Sequence, residues 1–296
     1  MSSFGHKVGR TAAALVVSMR PYQWSKNLVT FAPVLFVNRF TDPLAVAKVA
    51  LAFADFCILS GGVYLLNDIR DLDADRMHPR KRERPIAAGR LSAATAAWAA
   101  VALLAVGLMA AWTLDRLFFA AAAGYAVLSL AYTAGLKDAV IVDLLVVSFG
   151  FVLRVVAGAV VIHVEASSWV LICTLFLALL LSLGKRRQEM LVLEADAGLH
   201  RRNLQEYSVQ FLDYLMLLVT AGALMSYLLY ALASGRHRYM GITIPFVLYG
   251  ILRYLYLAFQ KGEGGSPAEL LFRDRGLLLS TALWVASAMV ALVLER

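Results

Sequence analysis

The chain has 296 residues, 61% hydrophobic and only 16% charged, with a formal charge of +8 and a mean hydropathy of +0.72. Soluble domains carry nearer ~45–50% apolar residues even with glycine counted, so soluble, disordered and disulfide-built classes are excluded. The two cysteines, Cys57 and Cys173, both sit in apolar runs and read as small hydrophobes. This is the composition of an integral membrane protein.

At the N-terminus, Lys7 and Arg10 precede the apolar run Ala12–Val17. That run is too short for a secretory signal and leads into Arg20-Pro21 without a small-residue cleavage site. Apolar runs near ~20 residues read as bilayer-crossing helices. Nine are expected, at 22–38, 44–66, 94–114, 117–136, 139–162, 168–184, 211–233, 240–259 and 276–294. The first is interrupted by Lys26, Asn27 and Pro33. The expected fold is all-α and polytopic, a single membrane domain over 1–296 with no soluble part.

With nine spans and an inner N-terminus, twenty Lys and Arg fall on the inner side and five on the outer. That positive-inside bias predicts a cytoplasmic-membrane protein with a cytoplasmic N-terminus. It also accounts for the basic charge without nucleic acid. Cations beside anionic headgroups favour phosphate-bearing ligands instead.

Chemistry concentrates where the second span leaves the membrane, at Asn67-Asp68-Ile69-Arg70-Asp71-Leu72-Asp73-Ala74-Asp75. Asp68, Asp71 and Asp75 are spaced i, i+3, i+7, so a continuing helix puts them on one face, with Asn67 four residues before Asp71. Such carboxylates repel unless a cation lies between them. Hard oxygen donors without His or Cys suit Mg²⁺, which binds through one or two carboxylates and substrate phosphates. Alone, the cluster would equally fit a solvated acidic helix end. The basic stretch that follows, with Lys81, Arg82, Arg84 and Arg90, could alone be positive-inside flanking. Together they make a diphosphate site, a metal bridging phosphate oxygens and cations taking the remaining charge.

The run Asn67-Asp68-x-x-Asp71-x-x-x-Asp75, followed by Arg84-Pro85-Ile86, resembles the first Asp-rich motif of the UbiA superfamily of intramembrane prenyltransferases. The resemblance covers essentially the whole chain. It implies nine helices around a central cavity that holds a Mg²⁺-bound diphosphate, with Asn67, Asp68, Asp71 and Asp75 as metal ligands. Members typically carry a second acidic motif between helices 6 and 7. Here that place reads Gly184-Lys185-Arg186-Arg187-Gln188-Glu189, with Glu194 and Asp196 further on. One acidic and one basic wall suit a ligand with two separate phosphates better than a second metal.

That pattern resembles the branch of decaprenyl-phosphate phosphoribosyltransferases, as do Arg20-Pro21-Tyr22-Gln23-Trp24-Ser25-Lys26-Asn27 and Arg273-Asp274-Arg275. The branch implies phosphoribosyl pyrophosphate as donor and a polyprenyl phosphate as acceptor. Asp68, Asp71 and Asp75 would then be catalytic. Lys26, Asn67, Lys81, Arg82, Arg84, Tyr132, Lys137, Arg154, Lys185, Arg186 and Glu189 would bind substrate. The expected partners are the membrane, these two substrates and, at most, further copies of the chain as a homo-oligomer. A cell-wall arabinan route is what the resemblance implies.

Within the spans, an arginine costs ~2.5–3.5 kcal/mol at mid-bilayer and normally faces a polar interior. Arg154 is read first as a cavity-lining or structural group, deeper than Asp143 on the same helix face. Asp55, Asp213 and Arg253 are further buried charges. Tyr22, Trp24, Trp98, Trp112 and Trp284 are expected as interface anchors or packing residues.

Overall fold

The computed structural model describes residues 2–79, 81–193, 206–233 and 238–295. All regular structure among these residues is helical. After α1 (Ser2–Ser18), Arg20 takes a left-handed backbone at φ 55° and Pro21 opens a 3-10 helix over Pro21–Phe31, which passes into the short α2 (Ala32–Phe36).

This corrects the first expected span, which is no continuous α-helix. Pro33 has no N–H to give the Val29 carbonyl, and that carbonyl instead receives the N–H of Ala32, one residue earlier. A 3-10 helix rises ~2.0 Å per residue against 1.5 Å for an α-helix, so the two pieces reach about 30 Å, the thickness of a hydrocarbon core.

The remaining elements follow in chain order: α3 (Pro43–Arg70), α4 (Leu72–Met77), α5 (Ala93–Leu114), α6 (Arg116–Ala134), α7 (Val142–Val160), α8 (Ser168–Leu193), α9 (Val209–Leu228), α10 (Ile244–Gln260), α11 (Pro267–Arg273) and α12 (Arg275–Leu294). Among the described residues, eight helices are long and apolar enough to cross a membrane. They correspond to the second through ninth expected spans.

Local chemistry sets their starts. Asp42 accepts from the N–H groups of Leu44 and Ala45, and Asp115 from those of Leu117 and Phe118. Ser92, Ser208 and Asp274 cap α5, α9 and α12 in the same way. Because α8 runs on to Leu193, Lys185–Glu189 lie on a helix that leaves the apolar layer, not in a connecting loop.

Two halves make the bundle. In one, α3, α5, α6 and α7 pack together; in the other, α8, α9, α10 and α12 do, and α7 against α8 joins them. The 3-10 segment is wedged against α3 and α7. Gly158 of α7 permits that approach, since a Cβ there would collide with the Thr30 carbonyl. Small residues at helix contacts serve the same purpose elsewhere in membranes. Outward faces are apolar, as at Trp98 (76% exposed), Val106 and Met109 of α5. Tyr22 and Trp112 also face outward, whereas Trp284 turns inward and donates to the Tyr227 hydroxyl at 2.8 Å.

Candidate active site

The acidic motif lies at the C-terminal end of α3. The helix breaks at Asp71 (φ −89°, ψ 9°) and resumes as α4, with the Asp75 N–H still bonded to the Asp71 carbonyl at 2.8 Å. Asp68 and Asp75 therefore share a face, and both are buried. The cation that such carboxylates require is Arg84, whose Nη1 donates to Asp68 Oδ1 at 3.0 Å and to Asp75 Oδ2 at 2.5 Å. Arg20 also binds Asp68 and lies 4.9 Å over the Tyr64 ring. The break turns Asp71 elsewhere: Asn67 Nδ2 donates to it at 3.1 Å and Lys137 pairs with it.

Asp71 is the open carboxylate of the set, its side chain 22% exposed against 2% for Asp68. Among the described residues, no three acidic, His or Cys side chains converge to enclose a metal. The donor chemistry nevertheless fits a cation such as Mg²⁺ that takes one or two carboxylates and completes its shell with substrate phosphate. The residues suit a metal that arrives with its phosphates and not a closed cage.

A second charged cluster joins α7 and α8. Asp143, at the start of α7, is buried and paired with Arg186, whose Nη1 also donates to Glu189 at 2.7 Å. The Tyr207 hydroxyl donates to Asp143 Oδ1 at 3.1 Å and accepts the Ile141 N–H at 2.6 Å, holding Ile141 at φ 68°. Burial, with the carboxylate of Asp143 nearby, pushes the Tyr207 phenol up to about 12, so it stays protonated and donating. Arg187 is spent on Asp213 at 2.5 Å and on the Ala258 carbonyl at 2.9 Å. Two of the three α8 cations are thus neutralised within the protein. Lys185 is more open, its side chain 57% exposed and 3.9 Å from Glu189.

Of the residues expected to bind substrate, Asn67, Arg84 and Lys137 gather at the motif. Arg82 is exposed, Lys81 half-buried with its backbone N–H on His78 Nδ1, and Tyr132 half-buried near the end of α6. Arg186 links α7 to α8 through its pair with Asp143. Arg154 lies deeper and, among the described residues, has no carboxylate partner: it donates to Asn27 Oδ1 at 2.7 Å, the Gly150 carbonyl at 2.8 Å and the Tyr125 hydroxyl at 2.9 Å. Arg80, Glu194 and Asp196 lie outside the described residues.

Sequence reasoning missed Arg20 and Tyr207 as members of the site. For Arg20 a signal was present: an arginine before proline cannot enter the helix that precedes it. For Tyr207 there was none, since its partner lies 64 positions away.

The description "UbiA prenyltransferase family" matches residues 27–275. Over 290 residues, 95% of this chain and 87% of the relative, the chain is 34% identical to the decaprenyl-phosphate phosphoribosyltransferase of Corynebacterium glutamicum. It is 35% identical to the enzyme of that description from Mycobacterium tuberculosis, over 93% of both chains. In three dimensions it resembles a UbiA homologue from Archaeoglobus fulgidus bound to GPP and Mg²⁺, with a TM-score of 0.75, 18% identity, and coverage of 95% of this chain and 99% of that one. Asp-rich motif, helical bundle and whole-length similarity agree, and the chain belongs to the UbiA prenyltransferase family.

Proposed function

We propose that this chain transfers the 5-phosphoribosyl group from phosphoribosyl pyrophosphate to a polyprenyl phosphate such as decaprenyl phosphate, releasing pyrophosphate. One observation carries the reading: on α8, where members of the family typically place a second acidic motif, the described residues include three cations, Lys185, Arg186 and Arg187, with Glu189 held by Arg186. An acidic wall takes a metal diphosphate, and a basic wall takes a separate monophosphate. The whole-length relatives point the same way.

Asn67 and Asp71, with Asp75 and Asp68 beside them, would hold Mg²⁺ on the pyrophosphate. When bound, the ion supplies Lewis-acid stabilisation of the leaving group. Arg84 and Arg20 take the remaining negative charge as the bond from C1 to pyrophosphate breaks. A lipid phosphate oxygen forms the new bond to C1 from the opposite side, so the configuration inverts to the β-linked lipid phosphoribose. That oxygen is already ionised near neutral pH, so no side chain need act as general base. The carboxylates are left to the metal and to the arginines they orient. Catalysis is alignment and charge stabilisation of a ribosyl cation-like transition state.

We further infer that the broken segment 21–36 supplies a ninth crossing. The site then faces the cytoplasm, as the distribution of Lys and Arg predicts.

The test is direct. Purified protein receives phosphoribosyl pyrophosphate, Mg²⁺ and a polyprenyl phosphate or, separately, a prenyl diphosphate with 4-hydroxybenzoate. Lipid-linked ribose phosphate in the first reaction supports the reading. Product in the second alone overturns it in favour of prenyl transfer to an aromatic acceptor.

A further inference from the structure

The three carboxylates of the motif already have cationic partners supplied by the chain. Arg84 spans Asp68 and Asp75, Arg20 adds a second cation to Asp68, and Lys137 pairs with Asp71. Three negative charges thus meet three positive ones. Lys26, half-buried on the 3-10 segment, is not one of these partners. A cluster balanced in this way gives no net attraction to a bare divalent cation. A magnesium diphosphate is different, because the ion takes carboxylate oxygens while the phosphate oxygens take the cations so released.

The cations differ in how readily they can be released. Asp68 and Asp75 are buried, and one guanidinium holds both. Lys137 instead grips the open member of the set. It comes from the 3-10 turn Leu136–Asp138 between α6 and α7, 66 positions from Asp71, and its own side chain is only 7% exposed. Asn67 donates to Asp71 Oδ2 at 3.1 Å and Lys137 to Oδ1, so each oxygen of that carboxylate has a donor. Asn67 is neutral and, once turned, presents its own amide oxygen to a metal. The Lys137 ammonium has no lone pair to offer and repels the ion. A bare metal that took Asp71 would leave a buried ammonium without this carboxylate, a costly state. With a diphosphate present, the flexible stem of lysine lets the ammonium pass from Asp71 to a phosphate oxygen, and its charge stays compensated.

We propose that Lys137 gates the metal site: it holds Asp71 until a diphosphate arrives and then moves to that diphosphate, so that metal and donor enter only together. This rests on the metal-diphosphate half of the phosphoribosyl-transfer reading and assigns the order of events at that site.

The test is equilibrium dialysis of radioactive Mn²⁺, an oxygen-seeking stand-in for Mg²⁺, against the full chain in detergent. It is run with and without pyrophosphate, with protein-free micelles as the blank. Wild-type protein should retain Mn²⁺ only when pyrophosphate is present. Lys137→Met should retain it without pyrophosphate, its affinity for the bare ion raised at least about tenfold because a like charge beside the ligand is gone. Lys137→Arg keeps the charge and should keep the requirement for pyrophosphate. Asp71→Asn should lose the pyrophosphate-dependent binding, which ties the ion to this site.

Equal Mn²⁺ binding by wild-type protein with and without pyrophosphate overturns the gate, as does a Lys137→Met protein that still requires pyrophosphate. Binding retained by Asp71→Asn, or a requirement lost in Lys137→Arg, removes it as well. Should Lys137→Met melt below wild type, Lys137→Gln carries the same comparison. The dialysis contains no acceptor, so its result is separate from the transfer reading. Product from a prenyl diphosphate alone overturns that reading and leaves the gate standing, whereas lipid-linked ribose phosphate beside an adverse dialysis result does the reverse.

Discussion

At single residues, burial and partnership separate groups that look alike in one dimension. Asp68, Asp71 and Asp75 have the same chemistry, yet two are buried under Arg84 and the third is open beside Asn67 and Lys137. Asp71→Asn should therefore lower turnover at least about hundredfold, because a proposed metal ligand would be lost, and should lower melting as well, since the buried Lys137 loses that carboxylate. Rate against Mg²⁺ concentration checks this, and near-normal turnover would remove Asp71 from the metal. Arg186 makes the complementary case. Arg186→Met leaves Asp143 buried without its cation and should destabilise by about 3–5 kcal/mol. Combining it with Asp143→Asn should restore part of that loss, a coupling that thermal melting of both single variants and the double variant would measure. A pure phosphate ligand would show no such coupling.

Elements depend on their ends as much as on their apolar middles. The N-cap of α12 is Asp274, which accepts the Leu277 N–H at 2.9 Å and binds Arg253 at 2.8 Å. The Arg253 guanidinium, with the backbone N–H groups, holds the Asp274 carboxyl below its usual range. A carboxyl whose folded value is depressed stabilises fully above its unfolded value of ~3.9 and loses that contribution as pH falls through the folded value. Asp274→Asn should thus melt lower than wild type at pH 7, and the gap should close as pH drops below about 4. Melting curves in detergent across that range decide it, and a gap independent of pH would assign the loss to packing.

The helices themselves were legible from apolar runs, and the starts of several from Asp or Ser before them. The 3-10 segment was not. Its pitch is set by Pro33 and by the Thr30 carbonyl seated on Gly158, 128 positions away, and no local period encodes that contact.

For the molecule as a whole, orientation is the property that charge assigns. Arg82 lies beside the Asp-rich end and Arg116 at the start of α6, at the other end of that helix from Lys137. Cysteine placed at 82 should react with a membrane-impermeant maleimide in inside-out vesicles, and cysteine at 116 in right-side-out vesicles. The native Cys57 is buried and Cys173 only half-buried, which keeps the background low. Reversed labelling would overturn the cytoplasmic assignment of the site. The spacing of the acidic motif and the basic α8 sequence pointed to a metal-diphosphate site, because such a ligand needs oxygens and cations whatever the fold.

Composition, span length and the position of the motif relative to a span were determined by the sequence alone, since each follows from solvation in a bilayer, which acts on residues one stretch at a time. Only the tertiary structure decided which charges are spent and which are left over. Arg186 is consumed by Asp143, whereas Arg154 donates to the neutral Asn27, Gly150 carbonyl and Tyr125. The reason is physical: the state of a buried charge depends on the partners that other helices bring to it, and those partners are set by packing.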